Sequence, residues 1–443
     1  MSAARAAVLL AATAAIACGV EQSDSGHVEE SEVNELARRY VSVVLAIGQH
    51  DPDYVDAYYG PEELRPTGSK RPLAEIDRDA ASIEAALKAS AGESAAEGDP
   101  GNDLHRLRDQ YLLRQVASAR TRLAMLSGRK LSFDEESKAL YDAVAPVKTG
   151  ADFEAVLQEL DHRLPGPGAL IDRYNAFRDR FVIPKERLDS TFHAAIQGCR
   201  SRTLAHVTLP PTESFTVEYV TNKSWSGYNW YQGNYRSLIQ VNTDLPIFVD
   251  RAIDLACHEG YPGHHVYNVL LEHHLVRNRG WVEYSVYPLF SPQSLIAEGT
   301  ANYGIEVAFP HEDRMDFERR VIFPAAGLDP ADVEAYYTVQ SLVERLSYAS
   351  NEAARQYLDG RIDAATAAAR LMAWGLYSKP RAEQRVRFID QYRSYVVNYN
   401  LGKDLVAAHV EAVAGAPDPA RRWAAFIGLL SSPRLPSGLV TGH

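Results

Sequence analysis

Cysteine is scarce in this chain. Three cysteines among 443 residues cannot build a framework of cross-links, so stability has to come from a buried core. At 46% hydrophobic residues the length is ample for one large core or two lobes. Positive charge is also short: 46 Lys and Arg stand against 58 Asp and Glu, giving a formal net charge of −12 and a pI near 5.6. No basic cluster reverses that balance, which argues against nucleic acid and against adhesion to an anionic lipid surface. Long apolar runs are missing too. The N-terminal run Ala6 to Ile16, about eleven residues, is too short to span a bilayer but suits a secretory signal. There is no internal repeat.

That N-terminus carries an address. Residues 1–17 read as a signal peptide with one basic residue, Arg5, and Ala15-Ile16-Ala17-Cys18 resembles the lipobox whose cysteine is lipidated after cleavage, with Ala at −3 where Leu is usual. Cys18 is the candidate lipidation site. Residues 18–30, with the acidic stretch Glu21 to Gly26, read as a tether. The expectation is an exported cell-envelope lipoprotein that touches membrane through its lipid anchor only. Cys199 and Cys257 remain, and an oxidising compartment permits one disulfide between them without requiring it.

The chemistry is concentrated in His258-Glu259-Gly260-Tyr261-Pro262-Gly263-His264-His265 and, about forty residues on, Ala297-Glu298-Gly299-Thr300-Ala301-Asn302-Tyr303-Gly304. Three imidazoles within eight residues are unfavourable in a half-buried element unless a cation or strong hydrogen bonds satisfy them. The His-Glu-x-x-His helix of zinc peptidases puts two imidazoles on one face, with the Glu addressing the metal-bound water. Here the fourth position after His258 is Pro262, which cannot ligate and cannot continue a regular helix. On an ideal helix His264 points about 120° away from His258, and His265 lies about 10.5 Å along the axis. Pro262-Gly263 permits a bulge. A bulge that absorbs two residues makes His264 the second ligand and leaves His265 in a supporting or substrate-facing role; the exchange of these two roles stays open.

Ala301, Ile305, Val307 and Ala308 follow Glu298 at helical intervals, which makes it the candidate third ligand. Two His and one Glu leave a fourth position for water, and Glu259 is placed to accept its proton during attack on an amide or ester. A hydrogen-bonded core role for any one of these histidines alone is the blander alternative, and Glu306, His273 and His274 read as surface or supporting residues. Zn2+ is the expected cofactor and a peptide the expected substrate. A hydrolase of non-peptide amides or esters and a metal- or ligand-binding lipoprotein without turnover are the competing readings.

Around the core, Ser237 to Asn242 alternates as a short strand placed to pair with an extended substrate. Trp225 to Tyr231 reads as an aromatic loop lining a cleft, with Trp225, Tyr228, Tyr231 and Asn242 as substrate-binding candidates. Tyr395, Tyr399 and Arg393 are candidates from a late helix to steady an oxyanion, Arg393 alternatively holding a terminal carboxylate. Apolar periodicity predicts helices over residues 32–47, 73–91, 104–126, 133–144, 153–160, 331–358, 364–376, 381–397, 405–413 and 419–430, and Pro246 predicts the first turn of the helix leading to His258. The chain is thus mainly helical over 31–430, with an exposed loop at 92–102, a lobe boundary near 180–212 and a flexible tail at 431–443.

His-Glu-x-Tyr-Pro-Gly-His-His followed by Glu-Gly-x-Ala-x-Tyr resembles the bacterial family known as domain of unknown function 885, grouped with the Glu-zincin peptidases. Leu164 to Gly168 with Arg173, Ile183-Pro184, Trp225 to Tyr231, Asn242 to Pro246, and Tyr392 to Gly402 extend the resemblance over roughly residues 150 to 410. It implies a mainly helical, two-lobed, cleft-bearing fold with a small edge sheet, similar to oligopeptidases and angiotensin-converting-enzyme-like carboxypeptidases. It also implies His258, His264 and Glu298 as ligands and Glu259 as general base.

Overall fold

The helices form where the apolar spacing places them, and most of their ends are set by local chemistry. A computed structural model describes residues 25–90, 100–415 and 418–439. Leu73–Ser90 and Pro419–Leu430 match the predicted spans nearly end to end, the second opening on Asp418, whose side chain accepts from Ala420 N. Phe133–Tyr141 starts with a reciprocal capping box between Ser132 and Glu135 and stops at Asp142 in the left-handed region (φ 56°), earlier than periodicity implied. The predicted helix 331–358 is two, Val333–Glu344 and Ala349–Leu358. Likewise 381–397 divides at Arg393, whose φ of 54° ends Lys379–Tyr392 before Val397–Ala414 begins.

The helix leading to His258 starts later than Pro246 suggested. Residues 247–249 run antiparallel beside 181–183, with Ile183 N donating to Ile247 O and Val249 N to Phe181 O, both at 2.9 Å, so the helix opens only at Asp250. Backbone groups that find partners across a bridge have no need of a helical turn.

Five short strands form two small sheets. β1 (Val55–Tyr58) pairs antiparallel with β5 (Val286–Pro288). β2 (Ser214–Val220), β3 (Gly227–Gly233) and β4 (Arg236–Asn242) form the other in the order β2-β4-β3, β2 parallel to β4 and β3 antiparallel to it. The aromatic segment expected as a loop is therefore mostly strand, as β-forming Tyr and Trp favour once a neighbour supplies the ladder. The segment expected at the sheet edge, β4, is central.

The largest buried cluster runs from Val33 to Leu439 and includes Phe181, Ile183, Phe192, Cys199 and Val207, so the core crosses the expected boundary at 180–212 without a break. Two smaller clusters are separate from it, one around Phe153, Leu160, Tyr174 and Leu342 and one around Ala353, Leu371 and Val386, and residues of the first line a large groove. The N-terminal helices are fastened to the main cluster by the buried Arg108–Glu283 pair (2.6 Å), with the guanidinium over Trp281. The helix Ser25–Gly48 begins inside the stretch expected as tether. At the other end, Leu439 is buried and Ser437 N donates to Asp142, so the expected tail is packed through residue 439. The signal peptide, Cys18 and residues 92–99 of the expected loop lie outside the described residues.

Candidate metal centre

His258 stands in a single π-turn, Ala256–Gly260, that follows the helix Asp250–Leu255. Pro262 has no amide hydrogen, and the amides beside it reach back further than in an α-helix: Tyr261 N to Ala256 O at 3.3 Å and Gly263 N to Cys257 O at 2.9 Å. The Tyr261–Pro262 peptide is cis. A Cβ at residue 263 would lie 1.9 Å from the carbonyl oxygen of His258, so only glycine closes this turn. A new helix, His264–Leu271, then starts at the residue that must face His258. The two extra residues of the motif are absorbed by a break and restart. A disulfide between Cys199 and Cys257 joins the π-turn to the helix Leu188–Leu204.

Glu298 comes from the helix Pro292–Ala308. That helix crosses Val397–Ala414 at Gly299 and Gly402, so closely that a Cβ at 299 would meet the Gly402 carbonyl oxygen at 2.4 Å. The close crossing brings Tyr395 to Glu298, its hydroxyl donating to Oε1 at 2.8 Å. The other oxygen, Oε2, is buried with no hydrogen-bond donor, 3.2 Å from His258 Nε2 and 3.8 Å from His264 Nε2. The two Nε2 atoms face each other at 3.2 Å.

Two imidazole nitrogens and a bare carboxylate oxygen converging this way are the donor set of a borderline-soft divalent cation. Ligands about 2.0–2.1 Å from a tetrahedral zinc sit about 3.3 Å apart. The observed spacings are close to that, and all three donor atoms lie within 4.8 Å of one another. His258 donates its Nδ1 proton to Asn302 Oδ1 at 3.1 Å, which leaves Nε2 with a lone pair for the shared point. Asn302 is itself held by the Tyr399 carbonyl at 3.2 Å. Burial pushes His264 down to about 4, with His258 adding to that effect, so its imidazole is neutral and free to ligate.

Glu259 is buried beside this point, its carboxylate against β3: a Cβ at residue 227 would lie 2.6 Å from its Oε1, so Gly227 leaves the space it occupies. Its backbone carbonyl accepts from Asn229 Nδ2 at 2.7 Å. Burial and the Glu298 charge push its carboxyl up to about 7, against the opposing charges of His258 and Arg251. A carboxylate at that value takes and returns a proton near neutral pH. Tyr399 lines the same groove and feels the charges of Glu298 and Glu259.

The structure reassigns several candidates. His265 is fully buried and does not join His258, His264 and Glu298, with Nδ1 bonded to Ser237 Oγ at 2.8 Å and Nε2 to Glu213 Oε2 at 3.0 Å. Both of its nitrogens are occupied by scaffold. Arg393 does not reach the groove: its Nε donates to the buried Glu136 carboxylate at 2.7 Å. Tyr231 lies on the inner side of β3, its hydroxyl donating to Glu272 at 2.5 Å. Tyr395 orients Glu298 through the hydrogen bond above.

Trp225 and Tyr228 do line the groove and lean on each other, centroids 5.5 Å apart. Asn242 borders it, but its amide donates to the carbonyls of Lys223 and Trp225, so it holds the Trp225 turn in place. Glu306 pairs with Lys403 at 2.5 Å, and His273 and His274 are half-buried on a π-turn. Asn302 and Glu213 were not legible as supports, because each acts through a partner 44 or 52 residues away.

No protein-family model and no curated protein matches the chain. Among solved structures, a candidate lipoprotein from Colwellia psychrerythraea superposes with a TM-score of 0.48 at 15% identity, over 87% of this chain and 76% of that one. A candidate lipoprotein of unknown function from Shewanella oneidensis superposes at 0.42 and 13% identity, over 81% and 71%. Similarity at this level carries no argument about this chain. Among the described residues, no helix is long and apolar enough to cross a membrane.

Proposed function

We propose that this chain is a zinc-dependent hydrolase, and within that class a peptidase of the kind its motifs resemble, the domain of unknown function 885 family. One observation carries the reading: the buried Glu298 Oε2 has no donor, yet it faces the Nε2 atoms of His258 and His264 with Glu259 alongside. A zinc ion held by those three residues would supply Lewis-acid polarisation of a water and of a substrate carbonyl.

The chain's own groups do the rest. Glu259 takes the proton from the attacking water and hands it to the leaving nitrogen, a transfer suited to a carboxyl pushed up to about 7. The Tyr399 hydroxyl, held at the groove by the Asn302 contact to its backbone, donates to the developing oxyanion. An extended peptide lies along the start of β3, where Trp225 and Tyr228 offer aromatic surface. The groove, about 1750 Å³, has room for several residues. Export and anchoring through Cys18 belong to the same reading, and a disulfide in the core suits an oxidising compartment.

The test is metal content of the purified chain by elemental mass spectrometry, joined to cleavage of a peptide library. The expected result is about one zinc per chain, with hydrolysis lost in chelator and restored by zinc. Glu259→Gln should keep the zinc and lose about 10²- to 10⁴-fold in rate. Full activity in that variant, or no zinc uptake under any condition, would overturn the proposal.

A further inference from the structure

One part of the groove is cationic, in a chain whose formal charge is −12. Arg381 and Arg385 lie one turn apart on the helix Lys379–Tyr392, and both line the groove. Arg251 joins them from the helix before His258. Three other basic groups there are neutralised: Lys403 by Glu306 and Glu344, Arg314 by Asp254 and Glu318, and Arg178 by Asp250 at 3.8 Å. Arg251 has Asp254 at 3.2 Å but shares that carboxylate with Arg314. Arg381 and Arg385 have no carboxylate partner among the described residues. Arg381 donates only to the neutral Gln384 at 3.1 Å, and Arg385 only to Ser350 Oγ at 2.8 Å.

Packing does not account for this arrangement. Arg381 occupies the first turn of its helix, where the peptide dipoles disfavour a cation. Burial and the charges of Arg251, Arg178 and Arg385 push its guanidinium down to about 10, so the cluster is mutually repulsive as it stands. An anion entering the groove relieves all of these terms together.

We infer that Arg381, with Arg385 beside it, receives a carboxylate of the substrate, either the terminal carboxylate of a peptide or an Asp or Glu side chain. The inference rests on the hydrolase reading and names its substrate class. Planar guanidinium groups bind carboxylates with paired hydrogen bonds. The location fits: the Arg385 guanidinium lies 5.5 Å from the centre of the Tyr399 ring, and Tyr399 borders the metal centre. Arg251 is seven residues before His258, about 10 Å along the helical run, the span of about three extended residues. The carboxylate is therefore held on the part of the groove that adjoins the metal centre. Arg381 and Arg385 take the role that Arg393, committed to Glu136, cannot fill.

The test is calorimetric binding to full-length Glu259→Gln protein with one equivalent of zinc added. Three probes are compared: hexa-alanine with a free terminal carboxylate, the same peptide as its amide, and an amidated hexapeptide with one internal Glu. A preference of about 10- to 100-fold for a carboxylate-bearing probe over the plain amide is expected. The preferred probe tells which carboxylate is read. Arg381→Gln should abolish that preference while leaving affinity for the amide and zinc content unchanged and without lowering Tm, and Arg385→Gln should weaken it. Equal binding of all three probes, no binding of any, or an Arg381→Gln variant that keeps the preference would overturn the inference. Failure of the hydrolase reading is scored separately, by zinc content and cleavage in the wild-type chain.

Discussion

Two buried corners lie back to back across the peptide bond between His264 and His265, and they are built on opposite terms. On one side, His264, His258 and Glu298 face one point with a carboxylate oxygen left without a donor. On the other, His265, Glu213, Tyr261, Arg200 and Ser237 form a closed network: Tyr261 donates to Glu213 at 2.6 Å, Arg200 at 2.9 Å, and His265 uses both ring nitrogens. Satisfied polar groups in low dielectric make a rigid wall. Unsatisfied ones carry a desolvation penalty that folding alone does not repay, and so mark where a ligand belongs. The comparison teaches that burial of a histidine says little about its role, and that the balance of its partners says much.

Removing either imidazole has the largest expected effect, and the two removals should act on different properties. His264→Ala is expected to lose stoichiometric zinc, read by elemental analysis, with little change in stability of the metal-free chain. His265→Ala should retain zinc and unfold more easily, by about 2–4 kcal/mol in denaturant titration, since it removes a buried ring and strands its partners. Retained zinc in the first variant, or lost zinc in the second at a temperature where the chain remains folded, would reverse the assignment.

A smaller effect tests the support of the ligands. Tyr395→Phe removes the donor to Glu298 Oε1 without removing a ligand, so zinc should bind about 10- to 100-fold more weakly, measured by chelator competition. Unchanged affinity would mean that the close crossing at Gly299 and Gly402 positions Glu298 unaided.

The smallest effect lies in the closed network and depends on pH. Burial opposes ionisation of Glu213, but hydrogen bonds from His265, Tyr261 and Arg200 outweigh it and hold the carboxyl down to about 2, against an ordinary 4.5. A depressed carboxylate stabilises the fold above its unfolded pKa and loses that contribution as pH falls through the folded value. The stability gap between wild type and Glu213→Gln should therefore be full above about pH 5 and shrink between about 4.5 and 2. A gap that stays constant through that window would show that Glu213 is held by shape and not by charge.

Much of this could be read directly from the residues. Helical periodicity located most helices, since an apolar stripe every three or four residues can be buried only as a helix. The motif located a break, because Pro262 and Gly263 forbid a regular helix through His258, and left the roles of His264 and His265 open. Where reading failed, the deciding contact was distant in sequence. The aromatic segment 227–233 became strand β3 because β4 lay alongside, and 247–249 stayed extended because 181–183 did. Arg393 left the groove because Glu136, 257 residues earlier in the chain, was buried next to it.

Side-chain chemistry and local backbone limits within a few residues set the donor types, the break between His258 and His264, and the mainly helical class. Packing between distant segments set the rest: that His264 faces Glu298 while His265 faces Glu213, that Tyr395 donates to Glu298, and that Arg381 and Arg385 border the groove without a carboxylate partner among the described residues. Those outcomes depend on which helices and strands meet, and that is settled by burial of the whole core, not by any segment alone.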